Sequence, residues 1–562
     1  MRKSTIILSL ALVMMLSACQ EYLTPRRDNS LTREQIIADP SYAEGLLLNA
    51  YLDMPNGYSF DEVATDDAVT NNRGSGFLAM ATGQWNANFN PQNEWAGTFE
   101  TLYYINQFLD VYEEVDWAPL SGEPQRSLHL KRLRGEAHGV RAWHMFNLLQ
   151  HHAGIGTNGE LLGFPLILEP LTPDQDLELP RNTYAECIGQ ILNDLEVAID
   201  NLPDFYDAAG NSDSVSTLGA QWSNRMNGYA ARALQSRVLL HAASPAFNNS
   251  PTAWEEAARA TGEFLQMAGG ESAFSTEGIE FYQDGNKNDP EIIWRREFFT
   301  SNNWEQNNFP PSLFGRGQTN PSQNLVEAFP SGNGYPIDHP NAVYDPADPY
   351  ILRDPRLYKY IMLNGSVFRG TTINTYQGAS KDGINQTTES TRTGYYLRKF
   401  MDENVNADPN NPTQTNHFYT LFRFTEVFLN YAEAANEAWG PDGDPNGYGM
   451  TAKEAIGLIR ARAGLAQPDF YLSSISDVEE MRDLIRNERR LELCFEGFRF
   501  WDLRRWEADL TEAVDGAFIT DGPSPAYSYQ KVEDRAYAPH MIYGPIPFNE
   551  TIKYPLIQNQ GW

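Results

Sequence analysis

The sequence is poor in four things, and each shortage closes off a class of function. Three cysteines in 562 residues exclude a disulfide framework, and no CxxC or other zinc spacing occurs. Basic residues are scarce: 42 Lys and Arg stand against 74 Asp and Glu, for a net charge of -32. Such a field repels phosphate backbones, so nucleic acid is excluded as a partner, and it weighs against highly anionic ligands. Long apolar runs are missing too. The longest, Ile6 to Leu16, has about eleven residues, where a membrane-spanning helix needs roughly 20. Finally, there is no GxSxG, no HExxH and no phosphate-binding loop, and no two of the nine histidines lie at i, i+4. No cofactor is implied.

What the short apolar run does carry is a leader. Arg2 and Lys3 precede it, and Leu16-Ser17-Ala18-Cys19 closes it. This is the shape of a secretory signal ending in a bacterial lipobox, with residues 1–18 cleaved and Cys19 as the lipid attachment point. Each buried acyl CH₂ contributes about 0.8 kcal/mol, so a lipidated Cys19 holds a water-soluble body at a membrane surface. Loss of Arg2 and Lys3 with the leader takes the net charge to -34. Residues 19–40 are polar, contain Pro25, Arg26 and Arg27, and read as a tether. Cys187 and Cys494 lie in helical, apolar surroundings and read as buried thiols, with a disulfide between them left open.

Apolar periodicity predicts helices over 93–115, 128–152, 184–202, 228–243, 254–267, 424–439, 451–463 and 478–498. Gly440-Pro441 stops one of them. Small residues in AARAL and YAEAANEA let such helices approach closely. The expected fold class is mainly α: a tetratricopeptide-like scaffold of helical pairs, with a loop-rich mixed α/β region over about 271–415 laid across it.

Several motifs in one order then resemble the SusD/RagB family of outer-membrane lipoproteins. They are RGEAHGVRAWHMFNLLQHHAG, NPSQNLVEAFP, LRDPRL, GYYLRKF, LFRFTEVFLNYAEAANEAWG, IRARAGL, NERRLELCFEGFRFWDLRRW and YGPIPFNETIKYPLIQNQGW. The departures are His138-Gly139 inside the first of these and Gln560 near the end. The resemblance implies one SusD-like body, with an N-terminal region over 41–225 and a C-terminal region over 226–562. It further implies a non-catalytic, exterior-facing, lipid-anchored protein of the outer membrane. Such a protein captures oligosaccharides for a partner SusC-type TonB-dependent transporter. A surface glycoside hydrolase and a peptide-binding importer subunit are the alternatives.

Site residues follow from chemistry and resemblance together. Sugar C–H faces stack on aromatic rings, which make up 12% of the chain, and hydroxyls bond to amides and carboxylates. Trp95, Trp143, Trp439 and Trp501 fall in helical stripes and read as packing. Trp85 with Asn88 and Trp304 with Phe309 lie in amide-rich loops, where SusD-like proteins hold carbohydrate, and are expected to contact ligand. Asp66 and Arg73 are expected to reach the same cleft. Glu488, Glu492, Glu496 and Asp502 lie on or near an apolar helix face, so they should be paired. The expected partners are Arg489, Arg490, Arg499, Arg504 and Arg505, with Arg423, Glu426 and Glu433 forming a second such group. Asp442, Asp444 and Asn446 mimic the first half of a calcium loop, but Lys453 stands where a glutamate is required, so a helix-capping turn is expected.

Overall fold

A computed structural model describes residues 32–562, apart from 118–121, 173–174, 176, 210–211, 249 and 523–524. Cys19 and the leader lie outside the described residues. The described residues open on two helices, α1 (Arg33–Ala38) and α2 (Pro40–Leu52), where a tether was expected as far as residue 40. Two devices make the difference. Thr32 and Gln35 form a capping box, and Arg33 forks onto Asp110 at 3.0 Å and Glu114 at 2.7 Å.

The scaffold continues with α3 (Trp95–Val111), α4 (Gln125–His152), α5 (Tyr184–Asn201), α6 (Gly228–Ala243) and α7 (Ala253–Ala268). It is completed by α8 (Phe424–Trp439), α9 (Ala452–Ala463), α10 (Val478–Glu492) and α11 (Arg499–Arg505). From α2 to α7 each helix packs on its sequence neighbour, and α7 then packs on α8, which carries α9 and α10. This serial pairing is the tetratricopeptide-like arrangement. Local chemistry sets the ends. Thr183 with Glu186 and Thr451 with Glu454 are capping boxes, Asn227 accepts from the Ala230 amide, and Gly464 closes α9 at φ 88°.

His138-Gly139 has a packing explanation. A Cβ at 139 would stand 2.9 Å from Met226 Cγ and 3.2 Å from Ala198 Cβ, so α4 has no room for a side chain there against α5 and the turn before α6. His138 pairs with buried Asp194 at 2.8 Å. Cys187 and Cys494 are both unpaired and buried, and burial pushes each thiol up to about 12. In the 440–449 turn, Asp444 accepts from the Tyr448 and Gly449 amides, and Lys453 pairs with Asp442.

The mixed region is built from two-stranded antiparallel ribbons. β1 (Ala68–Thr70) pairs with β3 (Thr319–Pro321), placing Ala68 opposite Pro321. β2 (Ile292–Arg295) pairs with β4 (Thr420–Arg423), with shifts of register. β5 (Val514–Ile519) pairs with β6 (Tyr527–Glu533). The region has its own core of Phe309, Phe329, Tyr360 and Tyr395, separate from the helical core.

Candidate functional site

The expected ligand residues divide by exposure. Trp85 is 5% exposed: its Nε1 donates to Asn90 Oδ1 at 2.9 Å, and Phe500, Tyr537 and Trp562 meet it edge-on. Trp304, 8% exposed, packs among Tyr58, Phe299, Phe400 and His417. Phe309 is fully buried against Phe368. Asp66 is buried between Arg490 and Arg499, at 2.8 and 2.7 Å. These four placements correct the expectation that the side chains face a ligand. The reason is local. Asn86 Oδ1 accepts from the Asn88 and Phe89 amides, and Asn90 Oδ1 accepts from Trp85 and the Gln92 amide. The amide-rich sequence around Trp85 is spent on its own turn. Asn88 and Arg73 are exposed on the loop surface.

A different place gathers suitable groups. A cleft of about 340 Å³ opens between the 53–61 turn, the C-terminal half of α4, α6, β4 and the 496–505 segment. Trp143, Asn147, Gln150 and His151 come from α4, Arg237 and His241 from α6, and Tyr419 from the residue just before β4. Phe498 and Trp501 close one wall, and the Trp85 loop contributes Gln92. Trp501, expected in the core, is only half-buried and meets the His151 ring edge-on at 4.5 Å. Asp61 is 5% exposed: Oδ2 accepts from Gln92 Nε2 at 3.1 Å, while Oδ1 makes no hydrogen bond. Burial raises its pKa against the nearby Gln92 and Ser59.

The imidazoles on the cleft wall are neutral near pH 7. Burial lowers His144 and His151 to about 4 and His241 to about 3. His144 Nε2–H donates to the Ala50 carbonyl at 2.9 Å, and the His151 Nδ1–H to that of Asn147 at 2.7 Å. Behind the wall, His152 accepts from the Glu94 amide and donates to the Pro545 carbonyl. Such a cavity offers aromatic faces, amides and three buried polar atoms without a hydrogen bond, Tyr58 OH, Asp61 Oδ1 and Thr420 Oγ1, which are the groups a sugar ring needs.

One side of the cleft is braced by buried ion pairs. Arg423 reaches Glu291, Glu492 and Glu496, and Lys399 also reaches Glu496. Glu488 is held by Arg356 and Arg460. Arg489 pairs with Asp502, and Arg505 with Asp502 and Glu433. The acids are paired as expected, but Glu488, Glu492 and Glu496 take cations from remote segments and from none of the five arginines expected. Among the described residues no carboxylate pairs with Arg504: it lies 3.4 Å over the Phe500 ring, and burial lowers it to about 10.

The bracing sets a pH response. Burial alone would raise Asp66, Glu433, Glu492 and Asp502, but the surrounding cations overcome it and hold all four below the usual carboxylate range. A carboxyl depressed in the folded state contributes stability above its unfolded pKa and loses it as pH falls. Thermal melts should therefore show a falling midpoint from about pH 5 to about pH 3. Glu62 has the opposite sign, because burial and Asp61 raise it well above normal. Glu62→Gln should accordingly lift the midpoint at pH 8 and leave it unchanged at pH 4; an equal change at both would contradict the assignment.

Comparison with known proteins now decides the kinship. Residues 285–562 match the SusD family, and residues 21–240 match the family described as starch-binding associating with outer membrane. The chain belongs to the SusD/RagB family. A SusD-like protein from Bacteroides fragilis NCTC 9343 is 25% identical and superimposes with a TM-score of 0.75, over 94% of this chain and 98% of that one. A SusD-like carbohydrate-binding protein from the same strain is 22% identical, with a TM-score of 0.72 over 92% and 98%. SusD-like protein P25 of Formosa agariphila is 21% identical over 99% of this chain and 98% of its own length. The two family matches between them take in the helical scaffold and the ribbons apart from residues 241–284, and every residue lining the cleft except His241 falls within them.

Proposed function

We propose that this protein is an exterior-facing lipoprotein held at the outer membrane through Cys19. It takes oligosaccharides into the cleft and delivers them, chemically unchanged, to a SusC-type TonB-dependent transporter. The observation that carries the reading is the cleft itself: half-buried Phe498 and Trp501 beside Asn147, Gln150 and the buried, unpaired Asp61 oxygen. Family membership supports it, as do relatives named for carbohydrate binding. Asn88 and Arg73 line no part of the cleft and serve a ligand long enough to run out over the loop surface.

The test is native affinity electrophoresis of the protein from Gln20 onward, through gels cast with plant, host and microbial polysaccharides. Retardation in at least one gel is expected, and none in any gel would refute the reading. A hydrolase is the second reading, favoured by the raised carboxyl of Asp61 in a polar cleft that also holds Glu94. It requires new reducing ends to appear on incubation with a retarding polysaccharide; the binding reading predicts none.

A further inference from the structure

The charges that line the cleft are not balanced, and the imbalance bears on what it accepts. Three guanidiniums reach its wall, and each is engaged by a carboxylate. Arg237 forks onto Glu426 at 2.6 and 2.7 Å, Arg489 holds Asp502 at 2.8 Å, and Arg505 forks onto Glu433 at 2.6 Å. No lysine lines the cavity. Glu496 is an exception on the acidic side, since Arg423 and Lys399 both pair with it. Asp53, Asp61 and Glu94 remain, with no cation paired to any of them among the described residues. Asp53 accepts from the Thr101 hydroxyl, and Asp61 Oδ2 accepts from Gln92. The imidazoles on the wall carry no compensating charge near neutral pH.

Asp61 Oδ1 is the second, independent observation. It is a buried acceptor, on a residue 5% exposed that lines the cleft, with no hydrogen bond of its own. A buried acceptor left unsatisfied is costly, and a ligand that brings a donor to it removes that cost. A sugar hydroxyl is such a donor. The carboxylate of a uronate, or a sulfate ester, offers only acceptors, and would be brought against three acidic side chains without a paired cation in a surface of net charge -32.

We propose that the cleft selects glycans without anionic groups, and that Asp61 is its selecting residue, accepting a ligand hydroxyl at Oδ1. This rests on the glycan-binding reading above and adds the ligand class. The probes are matched pairs: a sulfated polysaccharide with its desulfated form, and polygalacturonate with its methyl ester. Affinity electrophoresis should show retardation by the uncharged member of a pair and not by its acidic counterpart. Asp61→Ala should weaken retention by the uncharged member about tenfold, by removing a buried hydrogen-bond acceptor. Glu94 is exposed, so Glu94→Lys should leave the fold intact and admit the acidic member.

Preferential retention by acidic members overturns the selectivity while leaving glycan binding standing. So does Asp61→Ala binding as well as the parent, or Glu94→Lys still refusing the acidic member. Retention by neither member of any pair, nor by any polysaccharide of the wider panel, would instead remove the glycan reading itself, and the selectivity with it.

Discussion

Replacing Arg423 by methionine is expected to cost about 3–5 kcal/mol, a large part of the roughly 5–15 kcal/mol that holds a typical domain folded. The guanidinium is 2% exposed. Its Nη1 donates to Glu291 at 2.8 Å and Glu492 at 3.3 Å, and Nε and Nη2 donate to Glu496 at 2.9 and 2.8 Å. Methionine fills much of the volume but supplies no donor. Arg462 would still serve Glu291 and Glu492, and Lys399 would still serve Glu496, but Glu291 and Glu492 are at most 1% exposed and could not reach water to recover the bonds they lose. Arg259→Met is the control. Its pair with Glu263 is more than half exposed on both sides, so it should contribute less than about 1 kcal/mol. Denaturant titration of both variants measures the difference. Equal effects would mean that the buried network is not what holds the mixed region on the scaffold.

Trp501→Ala is expected to weaken glycan binding about 30-fold, because a tryptophan at the centre of a contact is commonly worth about 2 kcal/mol. The ring is half-buried and lines the cleft, so its loss removes a stacking face at modest cost to the fold. Trp85→Ala should behave in the reverse sense. That indole is enclosed by Phe500, Tyr537 and Trp562, and its removal leaves a cavity costing about 3–5 kcal/mol of stability. Thermal melts and affinity gels on the two variants separate the roles. If Trp85→Ala kept its stability and lost binding while Trp501→Ala kept both, the site would lie on the loop surface.

The contrast between these tryptophans shows what the sequence made legible. Helices were readable because burial imposes a period on their apolar residues, and Gly440 and the capping threonines mark their ends. The pairing of Glu488 and Glu492 was readable as a need, since an acid on an apolar face demands a cation. The suppliers were not: Arg356 lies 132 residues from Glu488, and its approach is a property of the fold. Trp85 misled for a local reason. Asparagines that contact sugars and asparagines that close a turn look alike in sequence, and Asn86 and Asn90 close a turn.

The cleft itself left almost no signal, because its walls come from segments between Asp53 and Arg505 that meet only after the helices stack. Two hints were present. His144, His151 and the amides Asn147 and Gln150 crowd the last turns of a helix that the apolar pattern alone would have made greasy. Asp61 stands just five residues before the aspartate singled out from sequence, in a segment whose acids all end up buried.

The most direct test is a crystal structure of the protein with an oligosaccharide cut from a polysaccharide that retards it. A sugar ring is expected against Trp501, with a hydroxyl within hydrogen-bond distance of Asp61 Oδ1. A ligand bound over Arg73 and Asn88 on the loop surface, with nothing between Asp61 and Trp501, would contradict it.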